Sequence, residues 1–170
     1  MVFIDESGLT EKPHRCCSWA PRGQTPILVH NFNWKKLSMI AGLTLWNLHF
    51  ELFTENIKSE HIIVFREKLK NVIADKMLVV WDGLSSHRSQ LVKQYLASEP
   101  GRIEILRLPP YAPELNPVEY IWGYLKQHEL PNVCGKHFWN LGEAARSGLR
   151  KMRRRRRIPV ACWKQASLAL

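Results

Sequence analysis

Met77-Leu78-Val79-Val80-Trp81-Asp82-Gly83 is the stretch on which the fold turns. Its five apolar residues run without a polar break, the pattern of a strand buried on both faces, and Asp82-Gly83 closes it. A strand with no wet face needs helices on both sides of its sheet, and the neighbouring sequence supplies candidates. Upstream, Ile62, Phe65, Leu69 and Val72 recur at spacings of three and four, so Ser59–Asp75 is expected to be an amphipathic helix. Downstream, Ser85 and Ser86 stand where helix caps are favoured, and a helix through Ala97 would bury Leu91, Val92, Tyr95 and Leu96. Ile103–Leu108 then reads as another strand, ended by Pro109-Pro110.

Farther out, Asn116-Pro117-Val118-Glu119 is a helix start: Asn as N-cap, Pro in the first position and Glu in the third. That helix is expected to run to about Glu129. A final helix is expected over Asn140–Arg157, with Leu141, Ala145, Leu149 and Met152 on one side. On another side fall Arg146, Arg150, Arg153, Arg154 and Arg157, a cationic stripe. At the other end, Met1–Asp5 reads as a strand feeding a turn at Ser7-Gly8. Cys17–Trp19, Ile27–Val29, Leu37–Leu45 and Leu48–Phe53 read as further strands of a meander. Together these segments give an α/β domain: a mixed sheet flanked by helices on both faces.

Composition agrees. The 170 residues are 45% apolar and 24% charged, the usage of one folded domain, which excludes wholesale disorder. No run nears the ~18 apolar residues of a membrane helix. Asp5 and Glu6 stand where a signal peptide would be basic and apolar, so a cytoplasmic protein without a membrane partner is expected. Lys and Arg total 25 against 15 Asp and Glu, a net +10. From Ala144 onward there are nine cations and no acid, whereas residues 1–143 carry only +1. The expected organisation is therefore a near-neutral domain over 1–143 and a basic helix and tail over 144–170. Five consecutive arginines match phosphate geometry, which points to a polyanion as partner. Cys16, Cys17, Cys134 and Cys162 form no C-x-x-C pair, so four reduced thiols are expected, and His14 beside two of them is a weak zinc signal.

Three carboxylates stand at telling places. Asp5 is expected at the end of the first strand, Asp82 at the end of the buried one, and Glu119 in the first turn of the Asn116 helix. In open α/β sheets, sites form beyond the carboxyl ends of strands; if the first and fourth strands are neighbours, Asp5 and Asp82 emerge side by side. Clustered carboxylates repel unless protonated or neutralised by cations, and hard divalent ions take carboxylate oxygens together with substrate phosphates. Each also has an ordinary reading: Asp5 and Asp82 as turn residues, Glu119 as the partner of an Asn capping box.

Phe3-Ile4-Asp5-Glu6-Ser7-Gly8, Trp81-Asp82-Gly83-Leu84-Ser85-Ser86-His87 and Leu108 through Glu119 (LPPYAPELNPVE) resemble, in order, the catalytic blocks of DDE transposases. Trp122-Gly123, Leu125-Lys126 and Trp19-Ala20-Pro21-Arg22-Gly23 extend the likeness, which is nearest the bacterial insertion-sequence branch of the mariner-like superfamily. The resemblance implies an RNase H-like fold with a mixed five-stranded sheet. It implies Asp5, Asp82 and Glu119 as the catalytic, metal-binding triad for Mg²⁺ or Mn²⁺, two ions in all. It implies His87 and Asn116 as supporting residues, neither Glu6 nor Glu114 being expected as a ligand. DNA is the implied partner, as transposon ends and target, in a bacterial, nucleoid-associated setting. Relatives carry a helix-turn-helix region before this domain. The sequence here is therefore expected to be a split-frame product, a fragment or a degenerate copy, and because transposition needs two element ends held together, the resemblance implies a homodimer or a separate helix-turn-helix chain. An inactive or domesticated DNA-binding copy and another RNase H-like DNA endonuclease remain the alternatives.

Overall fold

In the computed structural model, residues 1–29, 35–98, 100–133 and 138–168 are described. Five strands, β1 (Val2–Thr10), β2 (Lys36–Leu43), β3 (Leu48–Phe53), β4 (Met77–Trp81) and β5 (Ile103–Arg107), form one sheet in the order β3-β2-β1-β4-β5. The first three are an antiparallel meander, while β4 runs parallel to both β1 and β5. The first and fourth strands are thus neighbours, and the sheet is mixed.

Side chains of β1 and β4 alternate between two cores, as a period of two requires. Val2, Ile4, Val79 and Trp81 pack with Ile62, Phe65 and Leu69 of α1 (Ser59–Val72) and Val92 of α2 (Gln90–Ala97). Phe3, Leu9 and Val80 pack on the opposite face with α3 (Pro117–Tyr124), α4 (Phe138–Arg154) and α5 (Arg157–Gln165). Each large apolar side chain buried in this way contributes about 1.5–3 kcal/mol. Among the described residues, no helix is long and apolar enough to cross a membrane.

Several elements differ from the sequence expectation. Ser7-Gly8 makes no turn: β1 continues to Thr10 because its ladder with β2 runs on to Thr10↔Lys36. Asp5 therefore lies within β1 rather than at its end. Cys17–Trp19 and Ile27–Val29 form no strands; the segment is turned at Pro21–Gln24 and lies open, with Trp19, Ile27 and Val29 exposed. Pro21 and Pro26 lack the N–H groups that a strand ladder requires. Ser85–Arg88 form a 3₁₀ turn, and the cap of α2 is Ser89, whose hydroxyl accepts from Val92 N–H. In α2 only Val92 is fully buried, while Leu91 is exposed.

The helix expected to run to Glu129 closes in a π turn, Leu125–Glu129. There, the Glu129 carboxylate meets Lys151 at 3.4 Å and Arg155 at 4.0 Å, tying the turn to α4. Gly148 of α4 allows the close approach, since a Cβ there would lie 2.8 Å from Glu129 Cβ and 2.9 Å from Leu125 Cδ1.

The single helix expected over Asn140–Arg157 is two. Pro159 is the cause: in a continuous helix its ring would strike the carbonyl of Arg155, so the chain breaks there and restarts with Pro159 in the first turn of α5. Leu149, Met152, Ile158, Cys162 and Trp163 all belong to the core shared with β1 and α3. Cys16, Cys17 and Cys162 are free thiols, and Cys134 lies outside the described residues.

Candidate active site

Phe3 of β1 pairs with Val80 of β4, and two residues farther along each chain stand Asp5, within β1, and Asp82, just past the end of β4. β4 has ended by then while β1 runs on, so the two aspartates meet at the edge of a cleft. Asp5, Asp82, Asn116 and Glu119 all line it, an 840 Å³ concavity walled by Leu108–Pro113 and by Arg88 and Arg107. The three carboxylates singled out from sequence are brought together.

Glu119 owes its freedom to the start of α3. Asn116 Oδ1 accepts from Val118 N–H at 3.2 Å, making Asn116 the N-cap, and its own N–H donates to Pro113 O at 2.9 Å. That last bond is the one a capping-box Glu would have made. The capping-box reading is therefore overturned, and the exposed Glu119 carboxylate has no hydrogen-bond partner among the described residues.

Asp5 is buried, 6% exposed, and Trp122 Nε1–H donates to its Oδ2 at 2.7 Å. Trp122 lies three residues after Glu119, on the same face of α3. Burial first, and then the negative charge of Glu119, push the Asp5 carboxyl up to about 8; Trp122 pulls the other way, and Glu6 and Asp82 add to the rise.

Asp82 sits in the opposite environment. Leu84 N–H donates to its Oδ1 at 3.1 Å, and His87 Nδ1 lies 3.1 Å from the same oxygen. Burial alone would raise its pKa, but these bonds outweigh burial and hold it below the usual carboxylate value. His87 Nε2 is 2.7 Å from Glu6 Oε1. Both ring nitrogens thus face acceptors, an arrangement that only a doubly protonated imidazolium satisfies with two donors. Burial would lower its pKa; the bonds to Asp82 and Glu6 prevail and raise it to about 9. The ring stacks on Trp81 at 4.1 Å and 9°, and the Arg66 guanidinium lies 4.0 Å over the indole.

Sequence reasoning passed over Glu6 as a site residue and gave Trp122 no role. Alternation along β1 was the available signal for Glu6, since it turns the residue to the α1–α2 face, where His87 arrives. Glu6, Asp82 and His87 are also close enough to hold a cation, their ligand atoms lying within 4.8 Å of one another. A protonated His87 already fills that place as an internal counter-ion.

The cationic stripe divides at the helix break. Arg146, Arg150 and Arg153 line a shallow pocket beside Phe50–Leu52 of the edge strand β3. Arg154 is exposed at the end of α4. Arg157 lines a separate groove between α3 and α5 that shares Glu119 with the cleft.

Residues 1–134 match the family described as DDE superfamily endonuclease. The chain belongs to that family. Among solved structures, this DDE endonuclease domain is similar to the mariner Mos1 paired end complex with Mg, at 18% identity and a TM-score of 0.66 over 99% of this chain and 56% of that one. It is similar to the Mos1 mariner paired end complex with Mn, at 20% identity and 0.64, over 94% and 54%. It is also similar to the catalytic domain of Mos1 mariner transposase, at 15% identity and 0.59, over 97% and 81%. The fold is therefore the RNase H-like one, and the chain spans about half the length of the Mos1 chains in the paired end complexes. No match was found among curated protein sequences.

Proposed function

We propose that this DDE endonuclease domain is the catalytic domain of a DNA transposase of the insertion-sequence kind. It would cut DNA strands at element ends and join the freed 3′-hydroxyl to target DNA, with Asp5, Asp82 and Glu119 as its metal-binding triad. The observation that carries this reading is the convergence of those carboxylates on one cleft, where buried Asp5 has no cationic partner among the described residues.

The donor set fits hard divalent cations. Trp122 engages one Asp5 oxygen, and Leu84 and His87 engage one Asp82 oxygen. Asp5 Oδ1, Asp82 Oδ2 and both Glu119 oxygens are left without hydrogen-bond partners among the described residues, an all-oxygen set suited to Mg²⁺ or Mn²⁺. Bound there, such ions would supply activation of the attacking water or hydroxyl and neutralisation of charge on the scissile phosphate.

The chain's own residues do the positioning. Trp122 fixes the Asp5 carboxylate, His87 and the Leu84 amide fix that of Asp82, and the Asn116 cap aims Glu119. Arg88 and Arg107 on the cleft walls would hold the flanking backbone phosphates, and Arg146, Arg150, Arg153, Arg154 and Arg157 would take up more distant ones. A homodimer or a separate helix-turn-helix chain would hold the two ends together; the paired end complex of Mos1 favours such an assembly.

Cleavage of duplex DNA carrying candidate terminal repeats, compared with nonspecific and branched duplexes in Mg²⁺ and in Mn²⁺, tests the reading. Metal-dependent nicking at repeat ends supports a transposase. Preference for branches would point to another RNase H-like nuclease, and binding without nicking to an inactive copy.

A further inference from the structure

A second concavity, away from the cleft, is lined by several basic side chains. It is a 480 Å³ pocket between the end of β1, the chain that follows it and the π turn, and Lys12, His14, Arg15 and Lys126 line it with no Asp or Glu among the lining residues. The site is built. Lys126 Nζ donates to Ser7 Oγ at 3.2 Å. The chain bearing His14 and Arg15 is clamped by Asn132, whose Oδ1 accepts from Cys16 N–H at 2.9 Å and whose Nδ2 donates to Cys16 O at 3.1 Å. Asn132 N–H donates to His14 O at 2.9 Å. To make all three bonds, Asn132 adopts φ 55°, in the left-handed region that Asn tolerates better than most residues. The charges of Lys12, Arg15 and Lys126 held together in this way favour an anion between them.

The pocket's place relative to the cleft selects the anion. Trp122 reaches Asp5 and Lys126 reaches Ser7, so α3 and the π turn follow β1 from the carboxylates toward the cations. Leu9, on the pocket wall, lies four residues beyond Asp5 and on the same face of β1. At ~3.3 Å per residue the separation is about 13 Å. One DNA strand advances ~3.4 Å per nucleotide along the duplex axis, so a duplex laid along β1 would set about four nucleotides over that distance. Resting on the transposase reading above, we propose that this pocket binds a backbone phosphate about four nucleotides from the bond at the cleft.

The test pairs Lys12→Gln/Arg15→Gln/Lys126→Gln, in the full chain, with duplexes bearing one neutral methylphosphonate at successive positions from the cleaved bond. The expected result for the parent is a loss of affinity greatest near the fourth nucleotide. The triple variant should be indifferent to that substitution, and its plot of log affinity against log salt should flatten by ~0.9 for each phosphate it no longer neutralises. A flat methylphosphonate scan in a parent that still cuts DNA overturns this proposal and leaves the transposase reading standing. A parent that binds no DNA overturns both. Inorganic phosphate that shifts the NMR signal of His14 while the scan stays flat marks a free-anion pocket, and also overturns the proposal. If the triple variant does not fold, the scan on the parent decides alone.

Discussion

Asp5 and Asp82 stand at the same level of adjacent parallel strands, yet the fold treats them oppositely. Asp82 is given a cation, the His87 imidazolium, and is held ionised. Asp5 is buried among Glu119, Glu6 and Asp82, an indole N–H alone among the described residues offsets them, and its pKa rises to about 8. One carboxylate is satisfied by the protein; the other is driven toward its protonated form at neutral pH, a shift that an added cation would reverse. Asp82 has its counter-charge within the fold, whereas Asp5 has none among the described residues, and experiment can break that contrast.

The largest effect is expected at Glu119, the neighbour that does most after burial to raise Asp5. Glu119→Gln keeps the shape but removes the charge and hard oxygen a divalent ion requires. Metal-dependent cleavage should fall by orders of magnitude, with stability kept within ~0.5 kcal/mol. Equal cutting by parent and variant would sink the triad.

The second effect is on stability against pH. Asp5 rises from 3.8 to about 8 on folding, so the folded state binds the extra proton, and stability falls as pH climbs from about 4 through 8. His87 rises from 6.5 to about 9, so its contribution is whole below 6.5 and lost as pH passes 9. Metal-free melting temperatures should therefore decline across pH 6.5–9. Asp5→Asn should flatten the part below pH 8. A profile unchanged by Asp5→Asn would contradict the contrast between the aspartates.

A third effect follows by mass action. Mg²⁺ or Mn²⁺ should raise the melting temperature of the parent more at pH 8 than at pH 6, since a deprotonated Asp5 binds better. No shift at either pH would mean that the carboxylates do not share an ion.

The smallest is at the N-cap of α3. Asn116→Ala should cost about 1 kcal/mol in chemical denaturation, and activity should drop only as far as Glu119 is mis-aimed. A large loss of stability would show that Asn116 does more than cap.

The parts of this molecule that were legible in sequence are those set by local pattern. Met77–Trp81 had to be a two-sided strand, and Asn116-Pro117 had to start a helix. The failures came where a distant partner overrode local chemistry. Ser7-Gly8 has the composition of a turn, but eight residues of β2 were waiting to pair. The run of five arginines hid a helix break whose signal, Pro159, lay just beyond it. The three carboxylates were readable as a set because the strand order could be guessed. Their different protonation was not readable, because it depends on a histidine and a tryptophan placed by other elements.

The strand that carries Asp5 also sits third of five in the sheet, bonded on both sides, while the chain leaving it passes through an open segment around Arg22-Gly23. Exposed turns of that kind are where proteases nick and where chains tolerate being cut. A single break there would leave a short piece whose β1 remains laddered to both β2 and β4. The domain is thus suited to division into two separately made fragments, neither holding the full set of carboxylates, whose reassociation alone would rebuild the cleft.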